Sequence, residues 1–186
     1  MRVERCWMHS PTAEQAQSAC EATPDYCRCE TLVLGCGNVL FGDDGFGPAV
    51  AGRLRGRPDL PEAVVVLEVG TAVRRVLFNV ILSPVKPQRI IVVDAVDMGR
   101  EPGEVWTLEA SELPGIKCDD FSMHQLPTSN LLRELNDLAG VEVRCVVAQV
   151  AGVPAEVQPG LSGPVRRAIP QAVRRIEELW RKKNRS

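Results

Sequence analysis

The stretch Thr31–Val50, TLVLGCGNVLFGDDGFGPAV, runs from a fully apolar segment into glycines, an asparagine and two adjacent carboxylates. Leu32, Val33 and Leu34 leave no polar face, the pattern of a strand covered on both sides. Gly35 and Gly37 let the backbone turn sharply. Asp43 and Asp44 then precede a segment, 46–57, in which Pro48 suits a first helical turn and Ala49, Val50 and Leu54 recur at helical spacing. Strand, acidic turn and helix in that order put the carboxylates at the carboxyl end of the strand, the edge where open α/β sheets hold ligands. Two acids there are candidates for metal binding or acid–base work. The competing explanation is that acids at a helix start offset its dipole.

Working outward, Ala63–Leu67 (AVVVL), Thr71–Leu82 and Arg89–Val93 (RIIVV) read as strand, helix and strand. Such alternation implies parallel strands joined by right-handed crossovers, with helices on both faces of the sheet. Glu104–Leu108 (EVWTL) follows a Pro-Gly turn and reads as a shorter strand, at an edge. Residues 113–123 hold proline and glycine with little periodicity and are expected to form a long functional loop. A helix is expected from Pro127 to Leu138, with Leu131, Leu132, Leu135 and Leu138 on one side, and a last strand at Val141–Ala148. Ser162 and Pro164 look like the cap and first residue of a C-terminal helix that Pro170 should interrupt before Gln171–Lys183.

The chain has 186 residues, 45% hydrophobic and 25% charged, which suits one compact domain. We read residues 1–30 as a loosely structured N-terminal extension and 31–186 as a single α/β domain. A net charge of -2 gives no reason to expect nucleic-acid binding, and the basic end WRKKNRS is accounted for as a solvated helix terminus. No apolar stretch reaches the roughly 20 residues that span a bilayer, and residues 1–25 lack a secretory hydrophobic segment, so a cytoplasmic protein without membrane insertion is expected. Seven cysteines (6, 20, 27, 29, 36, 118 and 145) form an odd set that favours reduced thiols. Cys27 and Cys29 with Cys6 and Cys20 could form a small metal or redox cluster, but they match no standard zinc spacing, and incidental cysteines in a loose leader are the competing explanation.

Asp94 closes RIIVVD, with Asp97 just beyond, so a second strand delivers an acid to the same edge. A helix cap or turn is the alternative for Asp94. His124 lies in the proline-flanked phrase FSMHQLP; the other histidine, His9, is in the leader. Two carboxylates and an imidazole make a workable ligand set for a borderline divalent ion such as nickel or zinc. LGCGNVLFG lacks the third glycine of a dinucleotide fingerprint, and no GK[ST] triplet follows it. There is neither an HExxH helix nor a GxSxG elbow, and Cys118 and His124 share one loop with no orienting third group.

Four ordered phrases, LVLGCGNVLFGDDGFG, EVGTA (68–72), IIVVDAVDMG (90–99) and SMHQLP (122–127), resemble the nickel-iron hydrogenase maturation endopeptidases. VPAEVQPGLSGPV (153–165) also resembles that family's C-terminal segment, and the whole looks most like the branch serving hydrogenases that reduce a deazaflavin coenzyme. The resemblance implies a three-layer α/β/α sandwich around a mostly parallel, roughly five-stranded sheet. It further implies removal of a C-terminal extension from a nickel-loaded hydrogenase large-subunit precursor. By motif, Asp44, Asp94 and His124 become the catalytic metal ligands, and the nickel comes with the precursor. Many relatives carry glutamate at the Asp44 position, which preserves ligand type but not reach. Gly70, Thr71 and Asn38 are expected beside the cleft or as turn formers. Two alternatives stand against cleavage: a non-catalytic nickel-sensing chaperone with the same ligands, and a nucleotide-binding α/β protein.

Overall fold

A computed structural model of the protein describes residues 23–112 and 126–182. Among them β1 (Thr31–Cys36) is buried at every position and leads through a 3-10 turn, Gly42–Gly45, into helix α1 (Phe46–Arg55). Strand β2 (Val64–Gly70), helix α2 (Val73–Leu82) and strand β3 (Arg89–Val96) follow. Strand β4 (Val105–Glu109), helix α3 (Leu126–Asp137), strand β5 (Glu142–Gln149) and helix α4 (Gly163–Arg181) complete the core. The sheet has the order β2-β1-β3-β5-β4. β1, β2, β3 and β5 are parallel, and β4 is the antiparallel edge read from EVWTL.

Strand side chains alternate between faces, so each central strand feeds two cores. Leu32, Leu34, Ile90, Val92, Val143 and Cys145 pack with Leu77 and Val80 of α2 and Leu131, Leu132 and Leu135 of α3. Val33, Ile91, Val93, Val146 and Ala148 pack on the opposite face with Phe46, Val50 and Leu54 of α1 and Val165, Val173 and Ile176 of α4. Each fully buried large apolar side chain contributes roughly 1.5–3 kcal/mol. This doubly covered arrangement is why β1 and β3 read as uninterrupted apolar runs.

The sequence misjudged Pro170. Helix α4 runs through it without a break. Proline removes one backbone donor and crowds the preceding turn, but Pro170 lies on the exposed side, while Val165, Ala168, Ala172, Val173, Ile176 and Leu179 hold the other side to the sheet. At the far end of this helix the buried Arg89 donates to the carbonyl oxygens of Leu179 (2.8 Å) and Lys182 (3.0 Å) and pairs with Glu142 at 2.6 Å. Packing against the core begins ahead of Thr31: Thr23 and Cys27 are buried, and Asn79 of α2 donates to the Tyr26 hydroxyl at 2.9 Å. The expected loop at 113–123 lies outside the described residues.

Two glycines bring α1 against the strand ends. A Cβ on Gly47 would sit 2.6 Å from the Cys36 nitrogen and nearer still to the carbonyl oxygens of Cys36 and Val93. A Cβ on Gly35 would meet Ala51 Cβ at 2.7 Å. Relief of such contacts demands backbone movement, since the neighbours are main chain or an alanine Cβ rather than flexible side-chain ends. Gly47→Ala is expected to destabilise the protein by about 1–3 kcal/mol or more, as overpacking does. A lowered denaturant midpoint would show it, and an unchanged midpoint would mean that α1 sits further from the sheet than described.

Candidate active site

The chain leaves β1 for β2 on one side and returns to β3 on the other, so the connectivity reverses between β1 and β3. Crossovers from neighbouring strands that part to opposite faces leave a crevice beyond the carboxyl ends, the usual ligand position in such sheets. Asp44 comes from the turn after β1, and Asp94 from β3. Both flank this reversal.

Asp44 is half-buried and accepts the Asn38 N–H at 2.7 Å, while Asn38 Oδ1 accepts the Leu40 N–H at 3.0 Å. Asn38 thus fixes the loop, as read from sequence. Gly70, at φ 54°, accepts the Gly37 N–H at 3.2 Å and ties that loop to β2. Thr71 beside it is exposed. Asp94 pairs opposite Val147 in β5, and the preceding Val93 pairs opposite Gly35 in β1. Its Oδ1 accepts the Ala95 N–H at 2.9 Å. Burial among the strands pushes the Asp94 carboxyl up to about 7, and the negative charge of Asp44 adds to the rise against that hydrogen bond. The charge of Asp44 thus reaches Asp94 across the reversal, and Asp94 is poised to exchange a proton near neutral pH.

Two thiols lie behind them. Burial raises the Cys145 thiol to about 12 with help from the Asp94 charge, and burial followed by the Asp94 charge raises Cys36 well above its ordinary value. Both stay protonated and are poor nucleophiles. Cys27, Cys29, Cys36 and Cys145 are free thiols. His124, His9, Cys6, Cys20 and Cys118 lie outside the described residues. Among the described residues, no group of three or more His, Cys, Asp or Glu is arranged to hold a metal ion.

The other acids take structural parts. Asp43, the neighbour of Asp44, is 1% exposed and turned inward, its oxygens accepting the backbone N–H groups of Ala151 (2.8 Å) and Ser162 (2.7 Å). Ser162 is the N-cap residue of α4, yet its own side chain makes no capping bond. Asp97 is exposed and accepts from Gln149 Nε2 (2.9 Å) and the Gly99 N–H (3.3 Å), which hold its carboxyl below the usual range. Gln149, absent from the sequence reading, is 3% exposed, and its Oε1 accepts the N–H groups of Met98 and Arg100. A lone glutamine ending an apolar strand was its only signal. Glu68 is exposed and lies 3.9 Å from Arg55.

Asp94 makes stability pH-dependent in a definite direction. Its folded carboxyl holds a proton up to about pH 7, whereas the ordinary value is 3.8. Below the ordinary value Asp94 costs the fold nothing. As pH rises through the window, the folded state loses ground to the unfolded one, by on the order of 4 kcal/mol at most once Asp94 is fully ionised. Asp94→Asn removes that cost. Thermal melts of both proteins should coincide in acid, diverge in favour of the variant between about pH 4 and 7, and run parallel above. Melting temperatures that track each other across the whole range would contradict the desolvated setting of Asp94.

The family model of the hydrogenase maturation proteases matches residues 48–179. A putative hydrogenase maturation protease of Methanocaldococcus jannaschii is 37% identical over 145 residues, covering 77% of this chain and 92% of that protein. The coenzyme F420 hydrogenase subunit delta of Methanothermobacter thermautotrophicus is 36% identical over 150 residues, 79% of this chain and 92% of that protein. Among solved structures, the hydrogenase maturating endopeptidase HybD of E. coli superposes with a TM-score of 0.69 at 26% identity, covering 82% of this chain and 92% of that one. An α/β sheet of this order, with acids at its reversal and relatives of this kind along most of its length, identifies the chain as a member of the hydrogenase maturation protease family.

Proposed function

We propose that this protein removes a C-terminal extension from the nickel-loaded large-subunit precursor of a [NiFe] hydrogenase, and that Asp44, Asp94 and His124 recognise the nickel which that precursor carries. The observation that carries the reading is the pair Asp44 and Asp94 flanking the strand reversal, close enough for the charge of one to raise the proton affinity of the other. Nickel is part of the substrate here. Paired carboxylates that repel one another gain from a shared divalent cation, which displaces the Asp94 proton and neutralises both. Similarity to the coenzyme F420 hydrogenase delta subunit favours a precursor from a hydrogenase that reduces a deazaflavin coenzyme. The free thiols and the absence, among the described residues, of a helix able to cross a membrane suit a reaction in the cytoplasm.

In this reading the scissile peptide lies over the rim between β1 and β3. A nickel ion held there polarises the scissile carbonyl or activates a bound water, and a carboxylate oxygen not engaged with the metal orients the attack. Specificity follows from the metal: a precursor without nickel leaves the two acids without the cation that draws the substrate in.

Three ligands from separate elements make an open site that the precursor completes. The protein purified without chelators should therefore contain far less than one nickel per chain by elemental analysis. Tightly held stoichiometric nickel would point to a resident-metal enzyme. Intact-mass measurement of the nickel-loaded precursor should show loss of a C-terminal peptide with the wild-type protein, and no loss with His124→Ala or Asp94→Asn. A stable complex of unchanged mass would identify a chaperone in place of a protease. Normal processing by His124→Ala would end the metal-recognition mechanism.

A further inference from the structure

Asp43 is buried, has no cationic partner among the described residues, and is committed at both oxygens to one chain segment. Ala151 and Ser162, its two donors, bracket residues 152–161, so the carboxylate closes that segment into a loop against the turn that carries Asp44. The same loop is paired at its middle. Phe41 and Gln158 form a parallel bridge, the Gly42 N–H donates to Gln158 O at 2.9 Å, and the Gln158 N–H donates to Leu40 O at 2.8 Å. Gly42, at φ 57°, fits under Pro154, whose Cδ would lie 2.9 Å from an added Cβ. Asp43 also sits at the start of the 19-residue α4, where a negative charge is favoured by the helix dipole. Asp43 binds the N–H of the N-cap residue itself, a donor distinct from the first-turn N–H groups that a capping side chain accepts.

What the clamp holds is a surface. Val39 and Leu40 on the acidic turn and Val153 and Val157 on the clamped loop are 45–64% exposed, on two segments joined by the Leu40–Gln158 hydrogen bond. Neither 31–52 nor 150–165 contains a lysine or arginine. The surface is continuous with the rim of Asp44, because Val39 and Leu40 lie within the Asn38–Asp44 loop.

We propose that Asp43 is a positioning residue for the cleavage reaction: by binding Ala151 and Ser162 it holds loop 152–161 as the wall against which an extended apolar segment of the precursor lies while its scissile bond faces Asp44. The inference rests on the reading under Proposed function. Asp43 touches neither substrate nor metal and acts through the loop. Adjacent acids of the GDDG turn thus have opposite assignments, one turned inward to shape the wall and one outward to the chemistry.

Asp43→Asn keeps the side chain's size but offers one acceptor oxygen, and sets an amide N–H against the second backbone donor. In the full-length variant, backbone amides of Ala151 and Ser162 should lose hydrogen-exchange protection. With nickel-loaded precursor, KM should rise about tenfold while kcat changes far less, since the loss is one of substrate binding. The double variant Val153→Ser/Val157→Ser leaves the clamp and core untouched and should raise KM by a similar factor. It decides the matter alone if Asp43→Asn fails to fold. Asp44→Asn serves as the contrast, with turnover lost. An unchanged KM in Val153→Ser/Val157→Ser, or in a folded Asp43→Asn, overturns the proposal while leaving the protease reading in place. A wild-type protein that does not cut the precursor overturns both.

Discussion

The contact between the first turn of α1 and the backbones of β1 and β3 governs the geometry of everything at the carboxyl edge. Gly47 lies against the main chain of Cys36 and Val93, a distance no side chain allows. Because α1 cannot slide, the short turn Gly42–Gly45 that joins it to β1 has nowhere to wander, and Asp43 and Asp44 leave that turn in fixed directions. The strand reversal supplies the crevice; the glycine contact decides how the acids meet it. A looser helix would leave the same residues nearby without the electrostatic effect of Asp44 that Asp94 registers.

That effect is costly. A carboxyl held among apolar strands, next to another carboxylate, works against folding at neutral pH. The two cores beneath it, filled by Leu32, Leu34, Ile90 and Val92 on one face and Val33, Ile91 and Val93 on the other, supply the stability that allows it. Strain of this sort concentrates where chemistry is done. Its counterpart is Asp43, more deeply buried but provided with two backbone donors.

Fold and site were legible in the sequence to different depths, for physical reasons. Apolar runs such as Leu32–Leu34 and Ile90–Val93 announce buried parallel strands because both sheet faces are covered, and EVWTL announces an edge because its pattern is shorter and follows a turn. Pro170 misled because local propensity knows nothing of the apolar stripe from Val165 to Leu179 that holds the helix on either side of it. Asp43 and Asp44 are indistinguishable as letters. Which of the two faces inward depends on where the backbone of Ala151 and Ser162 arrives, more than 100 positions later, and that is a property of the assembled sheet. Gln149 was missed for a similar reason: it is informative only once it is seen to be buried and to hold the turn beyond Asp94.

Helix α4 is fastened at both ends by opposite charges: the Asp43 carboxylate at its start, on the carboxyl edge of the sheet, and the Arg89 guanidinium on its last carbonyl oxygens, at the amino edge. It therefore acts as a strut across the whole height of the sheet. Shortening or extending the chain near Lys182 is not a remote alteration, because it disturbs the acceptors of a buried arginine whose helix bears, at its other end, on the wall beside Asp44. A change at the Lys182 end of α4 is therefore carried along the strut to the acidic turn at the other.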